Sequence, residues 1–434
     1  MKDLIEPRVL KGFRDFLPDR EIQRLATLRR LEEVFRLFSF APIDTPVLEY
    51  ADVLLGKGGG ETDKQVYRFR DHGDRDVALR FDLTVPFARF MATHLSELPL
   101  PFRRWHAAKV WRGENTQRGR YREFVQVDFD IVGADSASAD LEILLLMRQC
   151  MMTLGMERCM IHFAHRGVFN SFLDGLGIGE KSVDVLRAID KDRKVGPDKT
   201  RETLVELAGA DTADRIARFI RRDAPWKETL SRLSEAVGAD NEGVQRLTTI
   251  CGCLEQLGIS SSFALDPSIT RGLDYYTGVV FETFLSDLPG IGSVCSGGRY
   301  NDLASLYTRQ SLPGVGASIG IDRLMAAMEE LGLLAAGASA PGVLVFCTDE
   351  SLLGSYHALA AAFRAAGIPA EVFPEPKKLA VQFSYAEKKG IPLGLVPPEK
   401  EDSAALALRD LRARQTFEGL TLDSAIEKAK QLLR

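Results

Sequence analysis

Alternating side chains in REFVQVDFDIVG, residues 122–133, constrain the fold more than any other feature of this sequence. Successive residues of a β-strand point to opposite faces of its sheet. One face of this segment is apolar, and the opposite face carries Phe124, Gln126, Asp128 and Asp130. The apolar face requires a core, whereas the polar face requires water or a ligand. The pattern therefore predicts an antiparallel sheet with one open face that binds something.

Two other segments alternate in the same way. DVALRFDLT has four apolar residues on one face and leaves Arg80, Asp82 and Thr84 on the other. AKVWRGEN is predicted to be a strand that places Arg112 and Glu114 together on one face. The polar face of the predicted sheet thus collects guanidinium groups, carboxylates and an amide, which is an unusual surface unless it binds a ligand.

FSFAPIDTPVLEY reads as an extended segment that two prolines interrupt. Because Pro42 and Pro46 cannot donate ladder hydrogen bonds, this strand should lie at a sheet edge, at a bulge or at a subunit boundary.

From about residue 166 to 260 the sequence is charged and has helical periodicity, which predicts a helical insertion.

The small-residue segment AAGASAP, residues 335–341, is the best candidate for a linker between domains. Beyond it, strand and helix patterns alternate over residues 342–434, which predicts a compact parallel-type α/β domain. We therefore expect a first domain over residues 1–334 that contains the antiparallel sheet and the helical insertion.

Composition is that of an ordinary soluble globular protein, with 45% hydrophobic and 27% charged residues. No apolar run approaches the ~20 residues that a membrane span needs. The N-terminus, MKDLIEPRVLKGFRDF, is too charged to be a signal peptide. We expect a cytoplasmic enzyme that has no membrane partner.

Six cysteines are too few for a disulfide framework in a chain of 434 residues. Cys251 and Cys253 have C-x-C spacing, which is not that of a zinc knuckle, and His162 and His165 form an H-x-x-H pair. Ordinary packing is the favoured interpretation of both pairs, so we expect no metal site from these residues.

A basic run stands out against the net charge of −5, which does not itself indicate a nucleic-acid binder. Residues 103–122 contain seven basic side chains and one acid, Glu114. The run is either a solvated basic face or a site for phosphates. Its basic residues are Arg103, Arg104, Lys109, Arg112, Arg118, Arg120 and Arg122.

The standard phosphate loops do not explain this run. GKGGGET lacks the Gly-Lys-Ser/Thr order of a Walker A loop. GVGASIG resembles the dinucleotide-binding fingerprint but has one residue too many before its last glycine. Arg112, Glu114 and Phe124 offer another solution. An arginine can grip a phosphate through its planar fork, a glutamate can accept from an exocyclic amine, and an aromatic ring can stack on a purine. Together they predict a nucleotide site on an antiparallel sheet.

The segment LDPSITRGLDYYTGVVFET delivers an arginine, an aspartate and two tyrosines to the start of a strand. With the segments above, it resembles class II aminoacyl-tRNA synthetases, and within them the histidyl-tRNA synthetase family, over nearly the whole chain. IDTPVLE, VWRGENTQRGRYREFVQVDFD and GVGASIGIDRL resemble the three class II motifs. RGLDYYTGVVFE and SGGRYNDL closely resemble two histidine-specific signatures, and KKLAVQFSYAEKKG resembles a helix of the anticodon-binding domain.

The resemblance implies an α+β fold: a class II antiparallel-sheet core flanked by helices, a helical insertion, and a C-terminal α/β anticodon-binding domain. It implies a histidine–tRNA ligase that activates L-histidine with ATP and Mg²⁺ and transfers it from histidyl-adenylate to the 3′ end of tRNA(His). A homodimer is implied by the family and by the proline-broken strand.

The same resemblance assigns the site residues. Arg112 and Arg271 would be the catalytic cations at the α-phosphate, and Arg112 would also contact the substrate carboxylate. The ATP-binding residues would be Arg112, Glu114, Arg120, Phe124 and Arg323, with the glutamate reading adenine, the phenylalanine stacking under it, and the last arginine holding distal phosphates with Arg120. The histidine-binding residues would be Asp82, Leu83, Thr84, Arg112, Gln126, Asp130, Arg271, Tyr275, Tyr276 and Tyr300.

Two departures from the family pattern matter. Asp82 and Asp130 stand where many bacterial members carry glutamate, although another branch, which includes eukaryotic enzymes, carries aspartate. The loop ENTQRGR differs from the commoner bacterial ERPQKGR, so the resemblance does not imply how the tRNA discriminator base and 5′ end are read. Asp128 is expected to have a structural role.

Two alternatives remain at this point. The histidine-sensing regulatory subunit of ATP phosphoribosyltransferase resembles the synthetase core, but it typically lacks the anticodon-binding domain and need not keep the ATP-site residues. A plain tRNA-binding module would not need the histidine signatures.

The resemblance generates a first prediction, for Arg271. Arg271→Ala should abolish histidine-dependent exchange of pyrophosphate into ATP, because the variant loses the fixed cation at the α-phosphate. Histidine binding, measured separately by calorimetry, should be largely intact. Near-normal exchange in the variant would refute the role assigned to Arg271.

Overall fold

The computed structural model describes residues 4–56, 65–116, 118–222, 225–270, 275–334, 342–397 and 405–433. Contacts divide the chain into two compact units. The first draws on residues 1–15 and 24–334, and the second on residues 16–23 and 335–434.

The strands are named here in chain order, with their bounds: β1 Ala41–Pro42, β2 Leu48–Tyr50, β3 Arg68–Arg70, β4 Asp76–Leu79, β5 Phe102–Trp111, β6 Glu123–Val132, β7 Cys159–His165, β8 Phe263–Leu265, β9 Val279–Leu285, β10 Cys295–Tyr300, β11 Gly314–Gly320, β12 Val343–Val345, β13 Ala370–Val372, β14 Leu393–Val396, β15 Leu406–Asp410 and β16 Gln415–Leu420.

The α-helices are named in the same way: α1 Pro18–Leu37, α2 Ala51–Leu55, α3 Thr84–His94, α4 Ala137–Thr153, α5 Arg166–Gly175, α6 Ser182–Asp190, α7 Asp192–Val195, α8 Pro197–Ala208, α9 Ala210–Phe219, α10 Trp226–Val237, α11 Glu242–Gln256, α12 Ile321–Glu330, α13 Leu353–Ala365, α14 Leu379–Lys389 and α15 Leu422–Leu433. None of the helices in the described parts of the chain has the length and apolar character needed to cross a bilayer.

An eight-stranded sheet forms the centre of the first unit, in the order β1-β5-β6-β11-β10-β9-β7-β8. Only the two outermost pairs, β1 with β5 and β7 with β8, are parallel. The predicted antiparallel sheet and α+β class are therefore confirmed. Strand β1 ends at Pro42 and lies at the sheet edge, as its missing amide donor requires.

Strand β6 shows the predicted alternation. Val125, Val127, Phe129 and Ile131 join the main core. The opposite face was expected to be open, but Gln126, Asp128 and Asp130 are also buried. The expectation failed because alternation distinguishes two faces without revealing what covers each of them. Gln126 and Asp130 line a cleft and do not lie on an exposed surface.

Two predicted strands end earlier than expected. Strand β4 stops at Leu79, so Asp82 lies in the turn before α3, and Thr84 is the first residue of that helix. Strand β5 stops at Trp111, so Arg112 directly follows the strand and is not within it. The backbone amide of Arg112 still donates to the carbonyl of Arg122 at 2.9 Å, which keeps the two chain segments together beyond the strand.

Two further parts complete the first unit. Strands β2, β4 and β3 form a small antiparallel sheet in that order. Helices α5 to α11, from Arg166 to Gln256, occupy the stretch for which helical periodicity predicted an insertion.

The second unit has a five-stranded sheet in the order β13-β12-β14-β15-β16. Only β13, β12 and β14 are parallel, and the last two strands pair antiparallel. The expected parallel-type domain is therefore a mixed sheet. The sequence that predicted parallel strands ended at β14, and the β15–β16 hairpin has a weak apolar pattern because β16 is largely exposed.

A buried ion network joins the sheet to two helices of the first unit. Arg299 in β10 is fully buried, and its Nη2 lies 2.8 Å from Oδ1 of Asp140 in α4. Its Nη1 donates to the carbonyl of Ala134 at 3.0 Å. From α11, the Nε of Arg246 lies 2.9 Å from Oδ2 of Asp140. A buried carboxylate that loses a partner is expensive, so this network fixes the positions of the three elements.

We expect Arg299→Met to lower the free energy of unfolding by about 3 kcal/mol, because it leaves Asp140 buried with Arg246 as its remaining ion-pair partner. Urea unfolding followed by circular dichroism measures the change. The matched control is Arg36→Met, which removes an exposed pair with Glu33 at 2.9 Å and should cost about 0.5 kcal/mol or less. Similar losses in the two variants would contradict this account.

Candidate active site

A cleft of about 1140 Å³ lies over the polar face of the eight-stranded sheet, within the first unit. It collects side chains from widely separated parts of the sequence. Among the residues that line it are those that the sequence singled out and that the structure now brings together: Asp82, Thr84, Arg112, Glu114, Arg120, Phe124, Gln126, Asp130, Tyr275, Tyr276, Tyr300 and Arg323.

Two of the residues assigned from the sequence do not appear in this set. The side chain of Leu83 is fully buried, and its backbone carbonyl accepts a hydrogen bond from Arg104 at 3.2 Å. Leu83 therefore shapes the turn next to Asp82 without lining the cleft. Arg271 lies outside the described residues, and its assignment stays a prediction.

One end of the cleft is cationic. The guanidinium of Arg120 lies 3.3 Å from Glu114, and that of Arg112 lies 3.9 Å from the same carboxylate. Arg323 donates to the carbonyl of Ser293 at 2.6 Å. Burial, helped by the nearby charges of Arg120 and Arg112, lowers the pKa of Arg323 to about 10. Three guanidinium groups thus share this end with the carboxylates of Glu114 and Glu282, and the excess of positive charge favours an anion.

Arg112 stands between the two ends of the cleft. Its Nε donates to the carbonyl of Phe81 at 2.8 Å, and its Nη2 donates to Oε1 of Gln126 at 3.0 Å. The same guanidinium lies 5.2 Å from the ring centroid of Phe124. Fixed by these contacts, Arg112 can reach ligand groups at both ends without reorganising.

The other end of the cleft is lined by the buried carboxyl groups of Asp82 and Asp130, which lie near a third buried carboxyl group, that of Asp128. Burial raises the pKa of Asp82 to about 7 and that of Asp130 to about 6, and it raises the pKa of Asp128 as well. Oδ1 of Asp82 accepts from the amide of Val85 at 3.1 Å. Its Oδ2 is buried and has no hydrogen-bond partner in the described part of the chain. A buried acceptor without a partner is costly, so this atom is suited to a ligand donor.

Asp130 is held from two sides. Tyr300 donates its hydroxyl hydrogen to Oδ1 at 2.5 Å, and Nη2 of Arg104 lies 2.6 Å from Oδ2. Arg104 is fully buried, and its guanidinium lies 4.2 Å from the ring centroid of Phe87. The positive charge of Arg104 favours the ionised carboxylate of Asp130 and opposes the effect of burial on its pKa.

The basic run therefore divides into different roles. Arg104 binds an internal carboxylate and not a phosphate, which sequence reasoning missed. Arg103, Lys109 and Arg118 pair with Glu142, Glu123 and Glu330 at 2.5, 2.8 and 2.9 Å. Of the run, Arg112 and Arg120 line the cleft. The pairing of β5 with β6 sets Arg104 opposite Asp130. The alternation of β5 and this pairing were the signals that Arg104 binds an internal carboxylate.

Asp128 and Gln126 belong to a hydrogen-bonded group on β6. Nε2 of Gln126 donates to Oγ of Ser318 at 2.5 Å and lies 3.4 Å from Oδ1 of Asp128. Oγ1 of Thr84 donates to Oδ2 of Asp128 at 3.4 Å. Asp128 is not among the residues that line the cleft, and it orients two residues that are.

Three glycines of β10 and β11 make room for the aromatic and acidic side chains. A Cβ on Gly298 would come within 2.8 Å of the Tyr276 ring. A Cβ on Gly314 would collide with the Tyr300 ring, and one on Gly316 would collide with the Asp130 carboxylate. Sequence reasoning treated these glycines only as letters of motifs, and their close approach to site residues explains why the strands carry them.

The histidine and cysteine pairs lie elsewhere. Nδ1 of His162 is 2.8 Å from Oδ2 of the buried Asp266, whereas burial lowers the pKa of His165 to about 4. Cys251 is buried within α11. In the described ranges, no three His, Cys, Asp or Glu side chains come together as a possible metal site.

Comparisons with known sequences agree along most of the chain. A family model described as "Histidyl-tRNA synthetase" matches residues 12–324, and one described as "Anticodon binding domain" matches residues 342–432. A Treponema denticola protein described as histidine–tRNA ligase is 52% identical over 401 residues, which are 91% of this chain and 90% of that protein. A Treponema pallidum protein of the same description is 48% identical over 420 residues, 95% of each chain.

Solved structures share the fold. A histidyl-tRNA synthetase from Nostoc sp. PCC 7120 matches with a TM-score of 0.85 at 29% identity, covering 99% of this chain and 100% of that one. A Bacillus halodurans structure, described as an ATP phosphoribosyltransferase regulatory subunit/histidyl-tRNA synthetase, matches with a TM-score of 0.74 at 23% identity. It covers 88% of this chain and 97% of its own, and at that identity the likeness shows the fold alone.

We expect Asp82→Asn to stabilise the ligand-free protein at pH 8 by about 4 kcal/mol. Because the folded-state pKa is raised from 3.8 to about 7, the stability that this carboxyl contributes is complete below about pH 4 and is lost as the pH rises through 7. The uncharged amide removes that loss. Urea unfolding at pH 8 and pH 4.5 compares the two proteins.

The gain from Asp82→Asn should be small at pH 4.5, where the native carboxyl already holds its proton. Asp184→Asn, which alters an exposed carboxylate 3.9 Å from Arg187, is the matched control and should change little at either pH. A gain of equal size at both pH values would show that Asp82 is not the titrating group.

Proposed function

The chain belongs to the histidyl-tRNA synthetase family of class II aminoacyl-tRNA synthetases, and we propose that the cleft is where it carries out the family's reaction. The protein is a histidine–tRNA ligase. The observation that carries the residue assignments is the cleft itself: buried acceptors at one end, guanidinium groups at the other, and Arg112 between them.

The reaction has two displacements. The histidine carboxylate attacks the α-phosphorus of ATP, which forms histidyl-adenylate and expels pyrophosphate. A terminal hydroxyl of tRNA then attacks the acyl carbon, and AMP leaves with the electrons of the broken acyl–oxygen bond. Neither displacement needs a protein nucleophile. Fixed cations that neutralise charge as it develops are sufficient, and the cleft offers such cations.

Asp82 is proposed to bind the ammonium group of histidine, with Gln126 and Thr84. Its Oδ2 is buried without a hydrogen-bond partner in the described residues, which an ammonium donor would satisfy. The positive charge of the ligand would also return the pKa of Asp82 towards its ordinary value.

Asp130 and the tyrosines Tyr275, Tyr276 and Tyr300 are proposed to surround the imidazole. The rings of Tyr275 and Tyr276 lie 4.8 Å apart, and those of Tyr275 and Tyr300 lie 6.3 Å apart. Because Arg104 and Tyr300 fix the Asp130 carboxylate, it can accept from a ring N–H at a set position. A pocket that hydrogen-bonds the ring leaves its own groups unpaired with apolar rivals, which supports discrimination of about 10⁴.

Arg112, Arg120 and Arg323 are proposed to bind the phosphates of ATP, while Phe124 stacks under the adenine. The Glu114 carboxylate, now close to Arg120, would accept from the adenine amino group once phosphates engage the arginines. The half-buried Phe124 is the second residue of β6 and lies 5.2 Å from the Arg112 guanidinium, which supports neighbouring subsites for base and phosphate.

Mg²⁺ fits this cleft as a companion of ATP. It usually binds one or two carboxylates together with phosphate oxygens and water. Glu282 lines the cleft, and its negative charge acts to raise the pKa of the nearby Arg323. Glu282 would hold the ion together with the phosphates, and bound Mg²⁺ would supply neutralisation of charge on the departing pyrophosphate.

The second unit is proposed to bind the anticodon of tRNA(His), since residues 342–432 match the anticodon-binding family.

A cytoplasmic location and a homodimer complete the proposal. Strands β2 and β3 and the residue before β2 expose apolar side chains that a second copy could cover, namely Val47, Leu48, Tyr50 and Phe69 with exposures from 39% to 54%. Light scattering with size-exclusion chromatography measures the mass in solution.

The regulatory-subunit alternative has weaker support. The chain combines an anticodon-binding match with the ATP-site residues Arg112, Glu114, Phe124 and Arg323 in one cleft. A histidine sensor would require neither of them.

Exchange of pyrophosphate into ATP tests the proposed function. Across the twenty amino acids, we expect histidine alone to stimulate exchange, because only its ring can pair with Asp130 inside the tyrosine pocket. Exchange with no amino acid would favour the sensor, and exchange with another amino acid would refute the pocket assignment.

A matched pair of glycine variants sharpens the same test. Gly316→Ala should reduce exchange by at least about 100-fold, since its methyl group would displace the Asp130 carboxylate. Gly252→Ala adds the same methyl group within α11, where nothing lies within 4 Å, and should leave exchange unchanged. Equal activities would show that the position of Asp130 does not matter.

A further inference from the structure

Residues 12–14 lie against the loop that joins β5 to β6, and none of the motifs discussed above includes them. The amide of Arg122 donates to the carbonyl of Gly12 at 2.8 Å. A Cβ on Gly12 would come within 2.7 Å of the Arg122 side chain and 2.9 Å of Thr116. With φ of +88°, the position suits glycine on conformational grounds too. The N-terminal segment is therefore packed closely on this loop.

Contacts of Arg14 tie this segment to an acidic and an aromatic side chain. Its guanidinium forms an ion pair with Oδ1 of Asp322, and it stacks over the Tyr121 ring at 3.6 Å from the centroid. The Asp322 side chain is 4% exposed. Its Oδ2 accepts from the backbone amide of Val125 at 3.0 Å. One buried carboxylate thus joins the N-terminal segment, the start of α12 and the start of β6.

Each of these partners is next in the chain to a residue of the proposed ATP site. Asp322 precedes Arg323, Val125 follows Phe124, and Tyr121 follows Arg120. Moving any of the three partners would shift the neighbouring side chain, because adjacent Cα atoms are held about 3.8 Å apart.

We propose that Arg14 is a positioning residue for ATP. Through Asp322 and Tyr121 it sets the distance between the Phe124 ring and the guanidinium groups of Arg120 and Arg323, without contacting the nucleotide itself. This inference rests on the proposed function of the cleft. The histidine end of the cleft is built around Asp82, Asp130 and Tyr300, whereas Asp322 and Tyr121 adjoin Arg323 and Arg120, so the effect should fall mainly on ATP.

Steady-state pyrophosphate exchange with Arg14→Ala tests the inference. We expect the KM for ATP to rise roughly 10-fold or more, and the KM for histidine to change by less than about twofold. Calorimetric titration with ATP alone should show the same loss of affinity. Arg14→Lys keeps the charge towards Asp322 but lacks the planar group that stacks on Tyr121. Its KM for ATP should therefore lie between those of the unmodified protein and of Arg14→Ala.

The control is Arg8→Ala. Arg8 is 82% exposed and lies 3.9 Å from the exposed Glu6, so its removal should alter neither KM. A merely structural role for Arg14 would lower the melting temperature and affect both substrates equally, and that result would overturn the inference, as would unchanged kinetics. If the alanine variant does not fold, Arg14→Lys decides by the same split between the two KM values. Failure of the unmodified protein to exchange would instead refute the proposed function.

Discussion

The buried ion pair between Arg104 and Asp130 is the interaction on which the rest of the cleft depends. Burying a carboxylate without a partner would drive it to its neutral form, and even with Arg104 beside it burial raises the pKa of Asp130 to about 6. The same guanidinium donates to the carbonyl of Leu83, within the turn that presents Asp82 and Thr84. One buried cation therefore organises both the acceptor proposed for the imidazole and the turn proposed for the ammonium.

The cleft separates charge along its length, and the sheet makes that separation rigid. Acceptors gather beside Arg104, whereas Arg120 and Arg323 lie near Glu114. Arg112 lies between the two groups, near Gln126 on one side and Glu114 on the other. A substrate that carries an ammonium at one end and reacts with a polyphosphate at the other meets complementary fields. These side chains lie on strands of one sheet and on the turns and first helical residues that follow those strands. The arrangement therefore needs little reorganisation when ligands bind.

The alternation of β6 predicted its core-facing residues correctly, because strand geometry makes the two faces a local property. The polar face was wrongly expected to be open. Its cover comes from residues distant in the chain, such as Tyr300, which is 170 positions from Asp130. Arg104 was expected on a solvated basic face or at a phosphate site for a similar reason. The basic run is a fact of the sequence, but the pairing of Arg104 opposite Asp130 arises from the register of β5 with β6.

By itself, the sequence determined the antiparallel sheet and its core-facing residues, because strand periodicity is a short-range property of the chain. The resemblance to a known family implied the fold class and the residues proposed for histidine and ATP. The tertiary structure decided which charges are buried together, which glycines admit Tyr276, Tyr300 and Asp130, and how Arg14 reaches Asp322. The physical reason is that burial and ion pairing depend on distances between residues that only folding brings together, and no local pattern encodes those distances.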